Sequence, residues 1–323
     1  METKISVVIP TYKRPKLLID CLVALSKQTL AKEDFEVNVV SDGPDSETDE
    51  HIKLWAKSQT LNINYYQTTQ KGGPAAARNL GWRSSKHSLI AFTDDDCQPA
   101  PDWLEGFARQ YKGEKLMVFS GFTYVPIPAA PSDYELNIAN LQTADFITAN
   151  CACTVDALLQ VQGFDERFKA AWREDSDLEF KFFTHKIPIV KVRDAIVVHP
   201  VRTAPWGISI KEQKKGVYDA LLFKKFPKLY RSNIQSKPLW NYYFINVLWI
   251  VIIIALLSHN TYLLAPVVIL QIILLSSFIY KRLRFSKKTV PHIAEMLGTS
   301  IVIPTISVFW RMYGAIKYRV LLI

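Results

Sequence analysis

The sequence predicts an α/β domain with a mostly parallel central sheet, followed by a two-helix membrane hairpin and a final interfacial or re-entrant helix. Three observations lead there. Short apolar runs at residues 5–9, 35–40 and 89–92 alternate with helical patterns and end in polar turns, the order expected of a parallel sheet. Residues 239–257 and 262–280 are each about one bilayer thickness of nearly uncharged chain. Charge is also divided. From Lys211 onward, 16 Lys and Arg stand against Glu212, Asp219 and Glu295, a net +13 in a chain that is +9 overall.

With 323 residues, 49% of them hydrophobic, and a mean hydropathy of +0.05, the chain is too apolar for an ordinary soluble enzyme and too charged for an all-membrane protein. The basic excess lies with the apolar runs, which points to an anionic membrane surface. No basic stripe interleaved with aromatics occurs in the N-terminal part, so nucleic-acid binding is not expected. The first apolar run is too short for the core of a signal peptide, so the N-terminal part is expected to stay in the cytoplasm. Cys21, Cys97, Cys151 and Cys153 contain no CxxC pair and read as reduced, structural thiols.

The first strand breaks at Pro10 into Thr11-Tyr12-Lys13-Arg14-Pro15, and Leu17, Leu18, Cys21, Leu22 and Leu25 then recur at helical spacing over 16–28. The second strand stops at Ser41-Asp42-Gly43-Pro44. Right-handed crossovers place such strands in one sheet, with ligands outside their carboxyl ends. Thr11, Asp42 and the acids that end the third strand therefore share one rim.

Those acids are Asp94, Asp95 and Asp96. Three like charges resist burial unless a cation neutralises them. Oxygen donors suit Mg²⁺ or Mn²⁺, which share their coordination with substrate phosphates. The expectation is a metal-bridged diphosphate site, with a solvated acidic turn as the plainer alternative. Before this strand, Gly72-Gly73-Pro74 opens an alanine-rich helix whose N-terminus can hold a phosphate, with Arg78 about a turn on. The stretch lacks the Lys-Ser/Thr of a P-loop and the GxGxxG order of a dinucleotide fold.

Taken together, ISVVIPTYKRP, VVSDGPDSETDE, GGPAAARNLGW and FTDDDCQP, followed by ITANCACTVDALLQVQGFDERF, AWREDSDLEFKF and IVVHP, resemble a family 2 glycosyltransferase of GT-A fold over roughly residues 4–200. The resemblance implies an inverting, hexosyltransferase-type transfer from a nucleotide-diphosphate sugar donor, with a divalent metal, Mn²⁺ or Mg²⁺. It places Thr11, Tyr12 and Arg14 on the nucleotide base and ribose, Asp42 on the base and Arg78 by the diphosphate. The plainer alternative for Asp42 is a turn-forming Asp before Gly-Pro, and both can hold. The DxD signature falls at Asp94/Asp96 or, in a neighbouring register, at Asp95/Asp96, so Asp96 is a metal ligand either way. His199 stands where a further ligand is found, although a single histidine after a strand is more often structural.

Glu174 and Asp175 match the family's ED pair, with Asp175 as the general base that takes the acceptor hydroxyl's proton. Acids in a first helical turn also compensate the helix dipole. Asn150, Trp172 and Asp177 match the acceptor side, and Gly163-Phe164-Asp165-Glu166 reads as a structural turn. The QxxRW signature of processive synthases is absent after His199, which favours addition of a single sugar.

The expected division is a catalytic domain at 1–205, a basic amphipathic juxtamembrane segment at 206–238, the hairpin at 239–280, and a basic loop with an interfacial or re-entrant helix at 281–323. Lys237 before the hairpin and Lys281, Arg282 and Arg284 after it place both flanks in the cytoplasm. Pro304 interrupts the last apolar run, and Arg311, Lys317 and Arg319 follow it, so a third span is disfavoured. The resulting expectation is a cell-membrane enzyme with its catalytic domain on the cytoplasmic side, acting on a lipid-linked or other membrane-proximal acceptor in cell-surface glycan or glycolipid synthesis. The alternatives are a polyprenyl-phosphate sugar transferase, which needs no base, and a non-catalytic membrane scaffold on the same fold.

Overall fold

The computed structural model describes residues 3–57 and 60–322. The first part runs β1 (Ile5–Thr11), α1 (Pro15–Ser26), β2 (Phe35–Ser41), α2 (Ser46–Ala56), β3 (Ile63–Gln67), α3 (Pro74–Arg83), β4 (Leu89–Thr93), β5 (Gln98–Pro99) and α4 (Trp103–Gln110). It continues with β6 (Val118–Tyr124), α5 (Asp133–Ala139), β7 (Asn150–Thr154), α6 (Val155–Gln160), α7 (Glu174–Thr184) and β8 (Ile189–Val198). The helices after that are α8 (Ile208–Glu212), α9 (Val217–Lys225), α10 (Pro227–Asn233), α11 (Trp240–Leu257), α12 (Thr261–Leu283) and α13 (Val290–Tyr318).

The eight strands form one sheet in the order β3-β2-β1-β4-β7-β6-β8-β5. The pairs β1/β2, β1/β4, β2/β3 and β6/β8 are parallel, while β4/β7, β6/β7 and β5/β8 are antiparallel. Strand β1 feeds neighbours on both sides, so the crevice at its carboxyl end is the switch point where ligands bind in such sheets. Both faces are covered, and the strand pattern shows it. Ile5, Val7, Ile9, Leu89 and Ala91 enter one core, whereas Val8, Ile90 and Phe92 enter the other. Alternate side chains of a strand point to opposite faces, so a sheet buried on both sides must be apolar throughout.

Two compact units result. One comprises residues up to Pro126 together with Ala139–Val201, and the other comprises Ile127–Ile138 together with everything from Arg202 onward. The excursion at 127–138 assigns a piece of the expected catalytic segment to the helical unit. There, Arg282 of α12 pairs with Asp133 at 2.8 Å and also donates to Thr299, Ser300 and Ser209. The expected juxtamembrane helix is broken into α8 and α9 by a short 3₁₀ turn at Gln213–Gly216.

Among the described residues, three helices, α11, α12 and α13, are long and apolar enough to cross a membrane. Helix α13 runs unbroken through Pro304, where the sequence pattern had predicted an interruption. Proline removes one donor and crowds the preceding turn, but the packed face of this helix holds it regular. That face includes Met296, Thr299, Ile303, Pro304, Ser307 and Arg311.

Candidate active site

At the carboxyl end of β4, the three adjacent acids separate. Asp94 accepts from Arg78 Nη2 at 2.7 Å. Asp95 takes a hydrogen bond from the Thr11 hydroxyl at 2.7 Å and an ion pair from Arg14 at 2.8 Å. Asp96 Oδ1 faces His199 Nε2 at 3.9 Å. The repulsion expected of three like charges is thus relieved by giving each its own partner set. Burial pushes the Asp95 carboxyl up to about 7, although Arg14 and Thr11 pull the other way. For Asp94, burial is outweighed by Arg78, which holds its carboxyl below the ordinary range.

Arg78 is the hinge of this arrangement. Its side chain is only 2% exposed, and Nη1 reaches Glu174 Oε1 at 3.2 Å while Nη2 holds Asp94. Burial opposes the charge, but Asp94 and Glu174 more than offset it and raise the guanidinium above its ordinary value. One cation therefore joins the end of β4 to the first turn of α7. A diphosphate would have to compete with both carboxylates for it. Burial, followed by the nearby Asp175, pushes Glu174 up to about 7, and burial also raises Asp175 despite the Ser176 amide, Arg173 and Arg78. One turn on, Glu179 is pushed up to about 7 by burial, Asp175 and Asp145, an acid the motif reading passed over.

At the rim where the sequence reading puts the nucleotide, the side chains bond to one another and to nearby backbone. Thr11 and Arg14 are both committed to Asp95. Asp42 Oδ1 accepts from the amides of Gly72 and Gly73 at 2.7 and 2.8 Å. The glycine turn that leads into α3, read above as part of a phosphate cradle, is thereby held by Asp42, which bonds the two amides before the helix. Gly73 lies in the left-handed region at φ 95°, and a Cβ there would meet the Lys169 backbone at 2.7 Å, so only glycine fits. Tyr12 keeps an aromatic face at the rim, with the Lys71 ammonium 4.2 Å from its ring centre.

Asn150, expected on the acceptor side, is a buried structural knot. It is fully buried, donates to the Phe122 and Ala195 carbonyls at 2.8 and 3.0 Å, and accepts from Trp103 Nε1 at 2.9 Å. Both hydrogens of its amide nitrogen are thus used inside the core. Gly121 makes this possible, because a Cβ there would lie 2.2 Å from Asn150 Oδ1. Asp177 is likewise buried, with Lys181 at 3.4 Å. Trp172 lies under the Arg173 guanidinium, 4.6 Å from the ring, and Arg173 caps α7 at φ 73°. The Gly163–Glu166 turn is bonded to α3, with Asn79 donating to the Phe164 carbonyl and to Glu166.

A divalent ion fits the donor set. Asp96, Cys97 and His199 bring ligand atoms to within 4.8 Å of one another, and the buried His199 Nδ1 has no hydrogen-bond partner among the described residues.

A mostly parallel sheet with clustered carboxylates at its switch point defines an α/β ligand-binding crevice. Residues 6–149 match the family described as "Glycosyl transferase family 2", so this segment carries a domain of that family. It is 31% identical to glycosyltransferase AglE of Haloferax volcanii, over 48% of this chain and 52% of that protein. It is 36% identical to the chondroitin synthase of Escherichia coli, over 73% of this chain and 40% of that protein. The chain thus spans about half the length, or less, of these relatives. Among solved structures, the mannosyltransferase PcManGT from Pyrobaculum calidifontis, in complex with GDP-Man and Mn²⁺, matches with a TM-score of 0.57 and 17% identity, covering 99% of this chain and 88% of that one. This likeness establishes the GT-A-like fold.

Proposed function

We propose that this protein is a metal-dependent, inverting glycosyltransferase that moves one sugar from a nucleotide-diphosphate donor to a lipid-linked or other membrane-proximal acceptor. The observation that carries the reading is the bridge through Arg78. It sets the turn bearing Asp175 beside the carboxylates at the end of β4, which brings a proton acceptor and a donor-side acidic cluster into one crevice.

Asp96 and His199 would hold the metal, whose Lewis acidity stabilises the charge that grows on the departing diphosphate. Asp175 accepts the proton of the acceptor hydroxyl as that oxygen attacks the anomeric carbon. The bond from that carbon to the diphosphate oxygen breaks on the opposite face, and the configuration inverts. Partial exposure lets Asp175 meet a substrate, and its raised pKa brings it nearer to working pH, as general-base efficiency favours. Asp175→Asn is expected to lower transfer at least about a hundredfold with donor binding retained, since a positioned base contributes about 10²–10⁴-fold. Transfer at the wild-type rate would favour a lipid-phosphate acceptor, which needs no base.

We further propose two spans, α11 and α12, with both flanks cytoplasmic. Helix α13 is long enough for a third, but its inner face is covered by the Lys-rich α8–α9 segment. Glu295 accepts from the Gly207 amide, Lys214 lies over Trp310, and Arg311 pairs with Asp219 at 3.6 Å. Leu297, Ile301, Phe309, Met312 and Ile316 are exposed along the other face, an apolar stripe suited to the plane of the interface. All four native cysteines are buried, so Leu321→Cys provides a clean reporter. It should resist an impermeant maleimide in intact cells; labelling from outside would mean a third span.

A further inference from the structure

We infer that Cys97 is a third donor of the cation site, which tilts that site away from Mg²⁺ and toward softer divalent ions. The inference rests on the reading of Asp96 and His199 as metal ligands. The strand register carries it. Strand β5 pairs antiparallel with β8, Gln98 opposite Val198 and Pro99 opposite Val197. One step further along the same register, Cys97 stands opposite His199. Side chains directly opposite in an antiparallel pair project from the same face with their Cβ atoms about 5 Å apart. The thiol therefore shares a face with the imidazole, and Asp96 approaches that imidazole to 3.9 Å.

The ligand atoms of Asp96, Cys97 and His199 lie within 4.8 Å of one another. Donors arranged tetrahedrally around one ion, at about 2.0–2.3 Å from it, lie about 3.3–3.8 Å apart, so a closure of up to about 1 Å assembles the set. One carboxylate, one imidazole and one thiolate form a mixed O, N, S set. Thiolate favours Zn²⁺ and Co²⁺, whereas Mg²⁺ is selected by oxygen donors alone. Coordination displaces the thiol proton to solvent. The plainer role of Cys97 is as a small apolar side chain in the core it shares with Cys21 and Trp103.

Cobalt distinguishes the two roles without any turnover. The full chain, purified in detergent and stripped of metal, is titrated with Co²⁺ and followed by absorbance. A near-ultraviolet thiolate-to-cobalt band that saturates at one ion per chain is expected. It should persist in Cys21→Ser and vanish in Cys97→Ser, with Co²⁺ affinity falling about tenfold and Mg²⁺ affinity changing far less. Cobalt bound, as shown by calorimetry, without a thiolate band in the wild-type protein would overturn the role of Cys97 alone, and so would a band that survives Cys97→Ser. No binding of Co²⁺, Mn²⁺ or Mg²⁺ would overturn the Asp96 and His199 reading as well. The wild-type spectrum is decisive even if the Cys97 variant fails to fold.

Discussion

Replacing Arg78 by Met removes the charge while keeping most of the side chain's length, and the structure sets the scale of the effect. The guanidinium is 2% exposed and within 3.2 Å of two carboxylates, so its loss leaves Asp94 and Glu174 facing each other without a cation. Breaking a buried ion pair by removing one partner costs about 3–5 kcal/mol. For a protein of this size each kcal/mol moves the melting temperature by about 2–4 °C, so a drop on the order of 10 °C is expected in detergent. The triple variant Arg78→Met, Asp94→Asn, Glu174→Gln removes the stranded charges too and should recover much of the loss. A purely steric role for Arg78 would leave the triple variant no better than the single one. Scanning calorimetry or intrinsic fluorescence of the three proteins measures the difference, and melting of the single variant within a degree or two of wild type would refute the bridge.

Two further outcomes follow from the same geometry. The Asp95 carboxyl is raised from 3.8 in the free residue to about 7 in the fold, so the folded state holds its proton more tightly than the unfolded one. The stability it contributes is fully present below about pH 4 and is lost as pH rises through 7, with a slope of up to about 1.4 kcal/mol per pH unit. Metal-free protein should therefore melt lower at pH 8 than at pH 5, and Asp95→Asn should make that decline shallower; an equal slope in the variant would contradict the assignment. Asn150→Ala strands Trp103 Nε1–H and the Phe122 and Ala195 carbonyls in the core. At about 1–3 kcal/mol for each stranded group, the unfolding free energy from chemical denaturation should fall by several kcal/mol. An acceptor-contacting Asn150 would instead raise KM with stability unchanged.

Much of the fold was legible because its signals are local. A strand buried on both faces must be apolar at every position, so Ile5–Thr11 and Leu89–Thr93 announce themselves. A membrane span needs some 20 apolar residues, which makes α11 and α12 plain. The ordered motifs likewise singled out Asp94 and Glu174, which the fold joins through Arg78. The excursion at 127–138 was not legible, because it joins the helical unit through Asp133, Arg282 and Thr299, whose partnership depends on contacts across more than a hundred residues.

What the sequence determined alone was which chemical groups gather at the carboxyl ends of the strands. What only the tertiary structure decided was how each is spent. Asp42 holds the glycine turn before α3, Thr11 and Arg14 bind Asp95, Asn150 ties three strands and a helix, and Arg78 joins Asp94 to Glu174. A side chain's type fixes what it can donate or accept. Its role depends on which partner folding brings within about 3 Å, and for these residues that partner lies 16 to 96 positions away in the chain.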